Sequence, residues 1–226
     1  MKISAVLLLV ILPLLAFTQK SDSLKGSKLD FGFTFSPEYC NSILKSTDDR
    51  QFLINILDTL ETSKYGYTIG TDISFKLTDK ISFASGILFS NWGENVKTVD
   101  ATALKGITNH YYYLNLPLKL NYYAWSRREK IKFFMSGGLS ANLFLTHKVS
   151  TQYTNSSMKG NAAGNNNLSK LNFSANVGIG FDYIVSDNCY FKFETIYQQN
   201  FTPILNSPIK RFLFSIGPNI GFYFHF

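Results

Sequence analysis

Apolar side chains recur at every second position through most of this chain, and a period of two is the mark of β-strands, whose side chains alternate between opposite faces. Leu29, Phe31, Phe33 and Phe35 alternate with Asp30, Gly32, Thr34 and Ser36. Tyr65, Tyr67, Ile69, Ile73, Phe75 and Leu77 stand against Gly66, Thr68, Gly70, Asp72, Ser74 and Lys76, and Ile81, Phe83, Ile87 and Phe89 against Ser82, Ala84, Gly86 and Ser90. Leu114, Leu116, Leu118, Leu120 and Tyr122 oppose Tyr113, Asn115, Pro117, Lys119 and Asn121. The pattern returns from Ile131 to Leu145, from Leu171 to Tyr183, from Phe191 to Tyr197 and from Phe212 to Phe226.

A soluble β-sandwich alternates too, so the decision rests on what each face carries. Here one face is bulky and apolar, while the other is rich in Gly, Ser and Asn with scattered charges, over runs of about ten residues. That is the pattern of a transmembrane barrel, apolar toward lipid and small and polar toward the lumen. Eight runs make an allowed even number, and the spacing of connections agrees. Thr78 to Lys80, Ser126 to Lys130 and Ser186 to Asn188 are short turns. Pro37 to Lys64, Trp92 to His110, His147 to Lys170 and Asn200 to Ser207 read as long loops. Short periplasmic turns and long external loops are the rule for outer-membrane barrels, which places both termini of the mature chain in the periplasm. The expected fold is all-β, a closed antiparallel eight-stranded transmembrane β-barrel.

Loop one contains its own signal. Leu53, Ile56, Leu57 and Leu60 fall at helical spacing between Asp48 and Thr62, with Asp48 and Gln51 placed as a capping-box variant. A short amphipathic helix is expected there, and Phe52, Leu53, Ile56, Leu57 and Leu60 are the candidate partner-binding residues, the alternative being that the helix caps the barrel mouth.

Composition narrows the class. Charged residues are only 16% of the 226, against 45% hydrophobic, well below the roughly 25% charged of an ordinary soluble domain. Past the first 20 residues no apolar run approaches the ~18 that a spanning helix needs. Lys2, the apolar stretch Ile3 to Phe17 and the small-x-small cleavage site Ala16-Phe17-Thr18 read as a signal peptide over residues 1–18, leaving a barrel domain at 19–226. Cys40 is the first cysteine, too far from that site for an acylated lipoprotein, and Cys40 and Cys189 fall at opposite ends of the barrel, so both are expected to be unpaired.

The net charge is +7. For an exported chain with scattered basic residues, nucleic acid is an unsuitable partner, and outer-membrane lipid, including lipopolysaccharide phosphate, is the more economical one. Candidate chemistry is sparse. An eight-stranded lumen is filled by side chains, so Asp30, Asp72, Lys76, Lys119, Lys132, Asp182, Lys192, Glu194 and Arg211 are expected to form an internal ion-paired plug. His110 and His147 lie at the external rim and His225 at the other end, without a close serine partner in sequence, so no catalytic residue is assigned. Three scattered histidines make no metal cluster, and Gly178-Ile179-Gly180 has no helix after it, so neither a metal nor a nucleotide cofactor is expected. Pro117 cannot donate to a ladder and is expected to cause a bulge or locally broken pairing.

The run Tyr113-Leu114-Asn115-Leu116-Pro117-Leu118-Lys119-Leu120-Asn121-Tyr122, with Ser136-Gly137-Gly138 and the closing Gly221-Phe222-Tyr223-Phe224-His225-Phe226, resembles the PorT-like family of outer-membrane β-barrel proteins. Asn115 stands where that family has Glu. The C-terminal strand is similar to the signal read by barrel-assembly machinery, carried by Gly221, Phe224 and Phe226, with Ile220 where a polar residue is usual. The resemblance implies a non-enzymatic barrel, a binding or accessory component in protein secretion or cell-envelope assembly, whose partners are secretion or envelope proteins. A lipid-modifying enzyme and a narrow channel are the alternatives.

Overall fold

The computed structural model describes residues 29–46, 51–97, 104–127, 130–153, 157–161, 168–205 and 207–225; the expected leader and Phe226 lie outside them. Among the described residues ten strands follow in chain order: β1 (Leu29–Ser46), β2 (Glu61–Lys76), β3 (Ile81–Trp92), β4 (Glu94–Lys97), β5 (Leu104–Arg127), β6 (Ile131–Tyr153), β7 (Ser157–Asn161), β8 (Leu171–Ser186), β9 (Cys189–Asn200) and β10 (Ile209–His225). One helix, α1 (Gln51–Leu60), joins β1 to β2.

Eight of the strands close a ring in which β1 pairs with both β2 and β10, and β2–β3, β3–β5, β5–β6, β6–β8, β8–β9 and β9–β10 complete the circuit, all antiparallel. Closure leaves no edge, which is what a sheet needs where no water can satisfy its backbone. The two remaining strands extend the wall. β4 continues β3 beyond Gly93 and pairs with β2 and β5, and β7 pairs with the far part of β6. Gly93 has φ of 153°, and a Cβ there would run into the Asn109 carbonyl. Only glycine makes that kink without a clash.

The faces divide as the alternation requires. Phe33, Phe35, Ile69, Ile87, Leu118, Leu120, Leu139, Val177 and Ile179 are exposed on the outer wall, whereas Asp30, Thr34, Asp72, Ser82, Lys119, Asn121, Ser174, Asp182 and Glu194 are buried inside. An exposed apolar belt around a buried polar core inverts the order of a soluble protein.

The strands run further than the apolar alternation marks. β1 continues to Ser46 and β2 starts at Glu61, so Pro37 to Ser46 and Glu61 to Lys64 belong to strands and not to loop one. β5 and β6 likewise extend through His110 and His147. The helix ends at Leu60, where β2 takes over, instead of reaching Thr62, and its expected start at Asp48 lies outside the described residues. Pro37 is what makes β1 look finished. The register of β1 with β10 sets it opposite Pro218, and the pairs between Phe35↔Ile220 and Tyr39↔Ile216 are missing on that seam. Two prolines sharing one gap interrupt the ladder once instead of twice. Pro117 behaves as expected on its β3 side, where pairing lapses between Ser85↔Leu118 and Leu88↔Asn115 with the register unchanged. The β5–β6 ladder has a shift at Tyr112/Tyr113, where Tyr112 pairs with Thr146 and Tyr113 with Phe144. Leu145 is the extra residue, and the bulge turns the inner face of β6 from even to odd positions.

Candidate functional site

Three layers fill the lumen, between a terminal end, where β1 starts and β10 ends beside the short turns, and a loop end holding the long connections. Nearest the terminal end, charge is held by aromatic hydroxyls. Tyr190 donates to Asp30 at 3.0 Å, Tyr123 to Asp182 at 2.7 Å and Tyr223 to Asp72 at 2.8 Å, and His225 bonds the other oxygen of Asp30. Lys119 reaches Glu194 at 2.9 Å, and Ser136 donates to the same carboxylate. The Lys192 ammonium lies over the rings of Phe134 and Tyr223, 4.9 and 4.8 Å from their centroids, a cation–π setting that suits a desolvated cation.

Gly32 and Gly221 make this layer possible. Tyr223 is paired directly with Gly32, and a Cβ on either glycine would press on its ring at 2.5 Å. Gly221, assigned from sequence to the assembly signal, therefore also seats the tyrosine that holds Asp72. Phe224 is on the lipid face, beside Phe222 at 4.7 Å between centroids. Phe226 lies outside the described residues. Lys76 and Lys132 line a cavity of about 40 Å³ at the terminal mouth with Tyr123, Asp182, Tyr190 and His225.

The middle layer is amide and hydroxyl. Asn115 pairs with Asn142 and Asn142 with Asn172, so three asparagines stand in register on adjacent strands. Their amides donate to Ser90 (2.6 Å), Ser174 (2.9 Å) and the Ser169 carbonyl (3.1 Å), while all three Oδ1 atoms lack a protein partner. An orphaned buried acceptor costs ~1–3 kcal/mol unless a water satisfies it. This layer is suited to ordered water.

At the loop end an apolar plug closes the barrel. Cys40, Trp92, Tyr111, Tyr113, Ile204 and Leu213 form one buried cluster, packed by Phe144, Leu168 and Leu205. Trp92 donates to Glu38 at 2.5 Å. Beside it Arg211 joins Glu61 at 2.5 Å and also Glu94, which accepts from Asn109 (3.0 Å) and Tyr111 (3.1 Å). Glu38, Glu61, Lys64 and Glu94 were not among the expected lumen charges because they fall in stretches read as loops. Continued alternation of Glu38, Cys40, Ser42 and Leu44 with Tyr39, Asn41, Ile43 and Lys45 was the signal that could have found Glu38.

Cys40 is accordingly a buried strand residue and not a loop residue, Cys189 opens β9 at the other end, and both are free. The rim histidines are held, not loosely solvated. His147 contacts Asn109 at 3.1 Å and stacks on Tyr111 at 4.5 Å, and His110 contacts Asn91 at 3.3 Å. Ser90 is bonded by Thr68 (2.6 Å) and Asn115. Among the described residues no group of three or more His, Cys, Asp or Glu could hold a metal ion.

Helix α1 presents the candidate partner-binding residues unequally. Phe52 is 73% exposed, Leu53 44% and Ile56 41%, while Leu57 and Leu60 are half-buried and Ile54 is buried. Its main contacts are with β1 and β2, the strands it links, and the mouth is already filled by Ile204 and its neighbours. Phe52, Asn55, Ile56, Thr59 and Leu60 line a shallow open groove on its outer side.

No curated protein matches the chain. Its fold is similar to those of solved outer-membrane proteins at low identity. Neisserial surface protein A is 12% identical, with 87% of this chain and 98% of that one covered and a TM-score of 0.43. The outer membrane protein OprG from Pseudomonas aeruginosa is 15% identical, with 89% and 96% covered and a TM-score of 0.46. Outer membrane protein W of E. coli is 14% identical, with 82% and 95% covered and a TM-score of 0.37. The model of the outer membrane protein beta-barrel domain matches residues 17–206. With that match over most of its length and an apolar-walled ring of eight strands, the chain belongs to the outer membrane protein beta-barrel family.

Proposed function

We propose that this protein is a non-enzymatic, non-conducting barrel that binds a partner at the external surface of the outer membrane, as an accessory component of protein secretion or cell-envelope assembly. In this reading the loop end faces outward and both mature termini lie in the periplasm, after removal of a signal peptide. The Tyr113–Tyr122 run supports the PorT-like subgroup as the finer assignment.

One observation carries the proposal: α1 exposes Phe52, Leu53 and Ile56 at the loop end although the mouth beneath is closed by other side chains. Apolar surface that neither fills the core nor seals the lumen needs another occupant. Against conduction stands the crowding of the lumen, where Lys119 and Glu194 bridge β5 and β9 and Arg211 bridges β10 to β2 and β4. The lipid-enzyme alternative asks for a base beside a nucleophile, and His147 is occupied by Asn109 and Tyr111.

Cross-linking in intact cells followed by purification in mild detergent tests the reading. Secretion or envelope proteins are expected to be recovered with the native barrel and lost on deleting residues 51–60. The deletion variant must retain a heat-dependent gel shift, which shows that the barrel has folded. Recovery unchanged by the deletion would move the contact away from α1, and recovery of no protein would end the accessory role.

A further inference from the structure

The outer side of the β1–β10 seam is a column of paired residues. Phe31↔Phe224, Phe33↔Phe222, Phe35↔Ile220, Tyr39↔Ile216, Asn41↔Phe214 and Ile43↔Phe212 climb from the terminal end, and the next outward pair is Lys45↔Lys210. Directly opposed like charges on one face of a sheet destabilise it. Among the described residues neither lysine is in an ion pair, and the Lys45 ammonium lies 5.4 Å from the centre of the Phe212 ring below it. Arg211, next to Lys210 in sequence, turns inward to Glu61 and Glu94.

Height identifies what meets this pair. From Phe31 to Lys45 the strand advances fourteen residues, or roughly 33–38 Å along the membrane normal at ~3.3 Å per residue and a tilt of ~35–45°. The hydrocarbon layer is ~30 Å thick and the bilayer with headgroups ~40–45 Å. The lysines thus stand in the headgroup layer, directly above a face that is apolar except at Asn41. Lys148, beyond the Leu145 bulge on β6, repeats the arrangement singly, its ammonium 5.6 Å from the Tyr112 ring centre.

The geometry points to a binding site for the phosphate-bearing headgroup of a membrane lipid on the β1–β10 seam, with Lys45 and Lys210 clamping the phosphate and Ile43, Phe212 and Phe214 receiving the acyl chain. An anion between the two ammonium groups turns a repelling pair into a bridged one. The site rests on the reading that the loop end is external only for naming the outer leaflet, because the clamp is a property of the wall and requires no protein partner.

The test uses the full-length barrel in nanodiscs, with lipid A carrying both phosphates or lipid A stripped of them as the probe and retention read by native mass spectrometry. The phosphorylated form is expected to be retained over the dephosphorylated one. Each of Lys45→Gln and Lys210→Gln should lower that retention by about fivefold and the double variant by about thirtyfold, from the value of one lysine near an anionic surface. Lys148→Gln should leave the seam's share intact. Equal retention of the two lipids, or no loss in the double variant, overturns the site. Displacement by millimolar inorganic phosphate overturns the lipid as its source.

A second readout separates the clamp from a merely structural role. Lys45→Gln should raise the unfolding midpoint in uncharged detergent, where it relieves repulsion, and lower it in the phosphorylated lipid, where it removes a bridge. A shift of the same sign in both media also overturns the proposal. Loss of secretion partners on deleting α1 bears on neither readout, so this site and the accessory role fail independently.

Discussion

The loop end and the terminal end of the lumen are closed by different chemistry on the same eight strands. At the loop end Trp92, Tyr113, Ile204 and Leu213 pack into an apolar plug, with Arg211 and its two carboxylates beside it. Toward the terminal end the filling is Asp30, Asp72, Lys119, Asp182, Lys192 and Glu194, held by Tyr123, Tyr190 and Tyr223. An apolar plug is non-directional and tolerates approximate shape, whereas a buried charge must have its partner in place. The loops can therefore vary around a plug of fitting volume. The terminal layer is fixed residue by residue, and its members sit on strands, where register sets their position.

Substitution of Lys119 gives the largest expected effect. Lys119→Met leaves Glu194 buried without the ammonium it meets at 2.9 Å, and breaking such a pair costs about 3–5 kcal/mol. Urea unfolding from lipid vesicles should show that loss, and Lys119→Met with Glu194→Met should recover most of it. A single variant within ~1 kcal/mol of the native protein would mean that water already screens the pair, and the contrast between the two ends would then be one of degree.

A cavity in the plug should cost less and leave conduction unchanged. Ile204 is 1% exposed, and truncating a buried isoleucine to alanine costs about 2–5 kcal/mol. Ile204→Ala is expected to fall toward the lower part of that range, because the loop that carries Ile204 can settle inward. In planar bilayers it should pass no more current than the native barrel, the charged layer below being intact. Steady single-channel current from this variant would show the plug to be the sole barrier.

The difference between the ends also explains what was legible in the sequence. The strands, their lipid and lumen faces, and the lumen charges Asp30, Asp72, Lys119, Asp182, Lys192, Glu194 and Arg211 follow from period two, because a barrel wall inside a membrane forces every position to one side or the other. The loop end did not yield to the same reading. Pro37 imitates a strand end, and only the register of β1 with β10 shows it sharing one gap with Pro218. The Leu145 bulge reverses the parity of β6, so His147 faces inward, where extrapolated alternation would turn it out. Ile204, Leu168 and Leu205 come from connections without periodicity, so nothing local marked them as a plug. The helix was visible from its spacing, but which of its apolar residues remain exposed is a tertiary fact.

Phe52 offers the smallest effect on stability and the sharpest contrast with Ile204. Both are large apolar residues at the loop end, yet Phe52 is 73% exposed and Ile204 is 1%. Phe52→Ser removes almost no buried contact, so the unfolding free energy should stay within about 0.5 kcal/mol of the native value, as for ordinary surface positions. Recovery of cross-linked partners should nevertheless fall, since the substitution takes the most exposed side chain from the α1 groove. A destabilisation of several kcal/mol would show that Phe52 is buried in the membrane-embedded protein, and α1 would then belong with the plug as part of the closure of the barrel instead of standing outside it as a surface for another molecule.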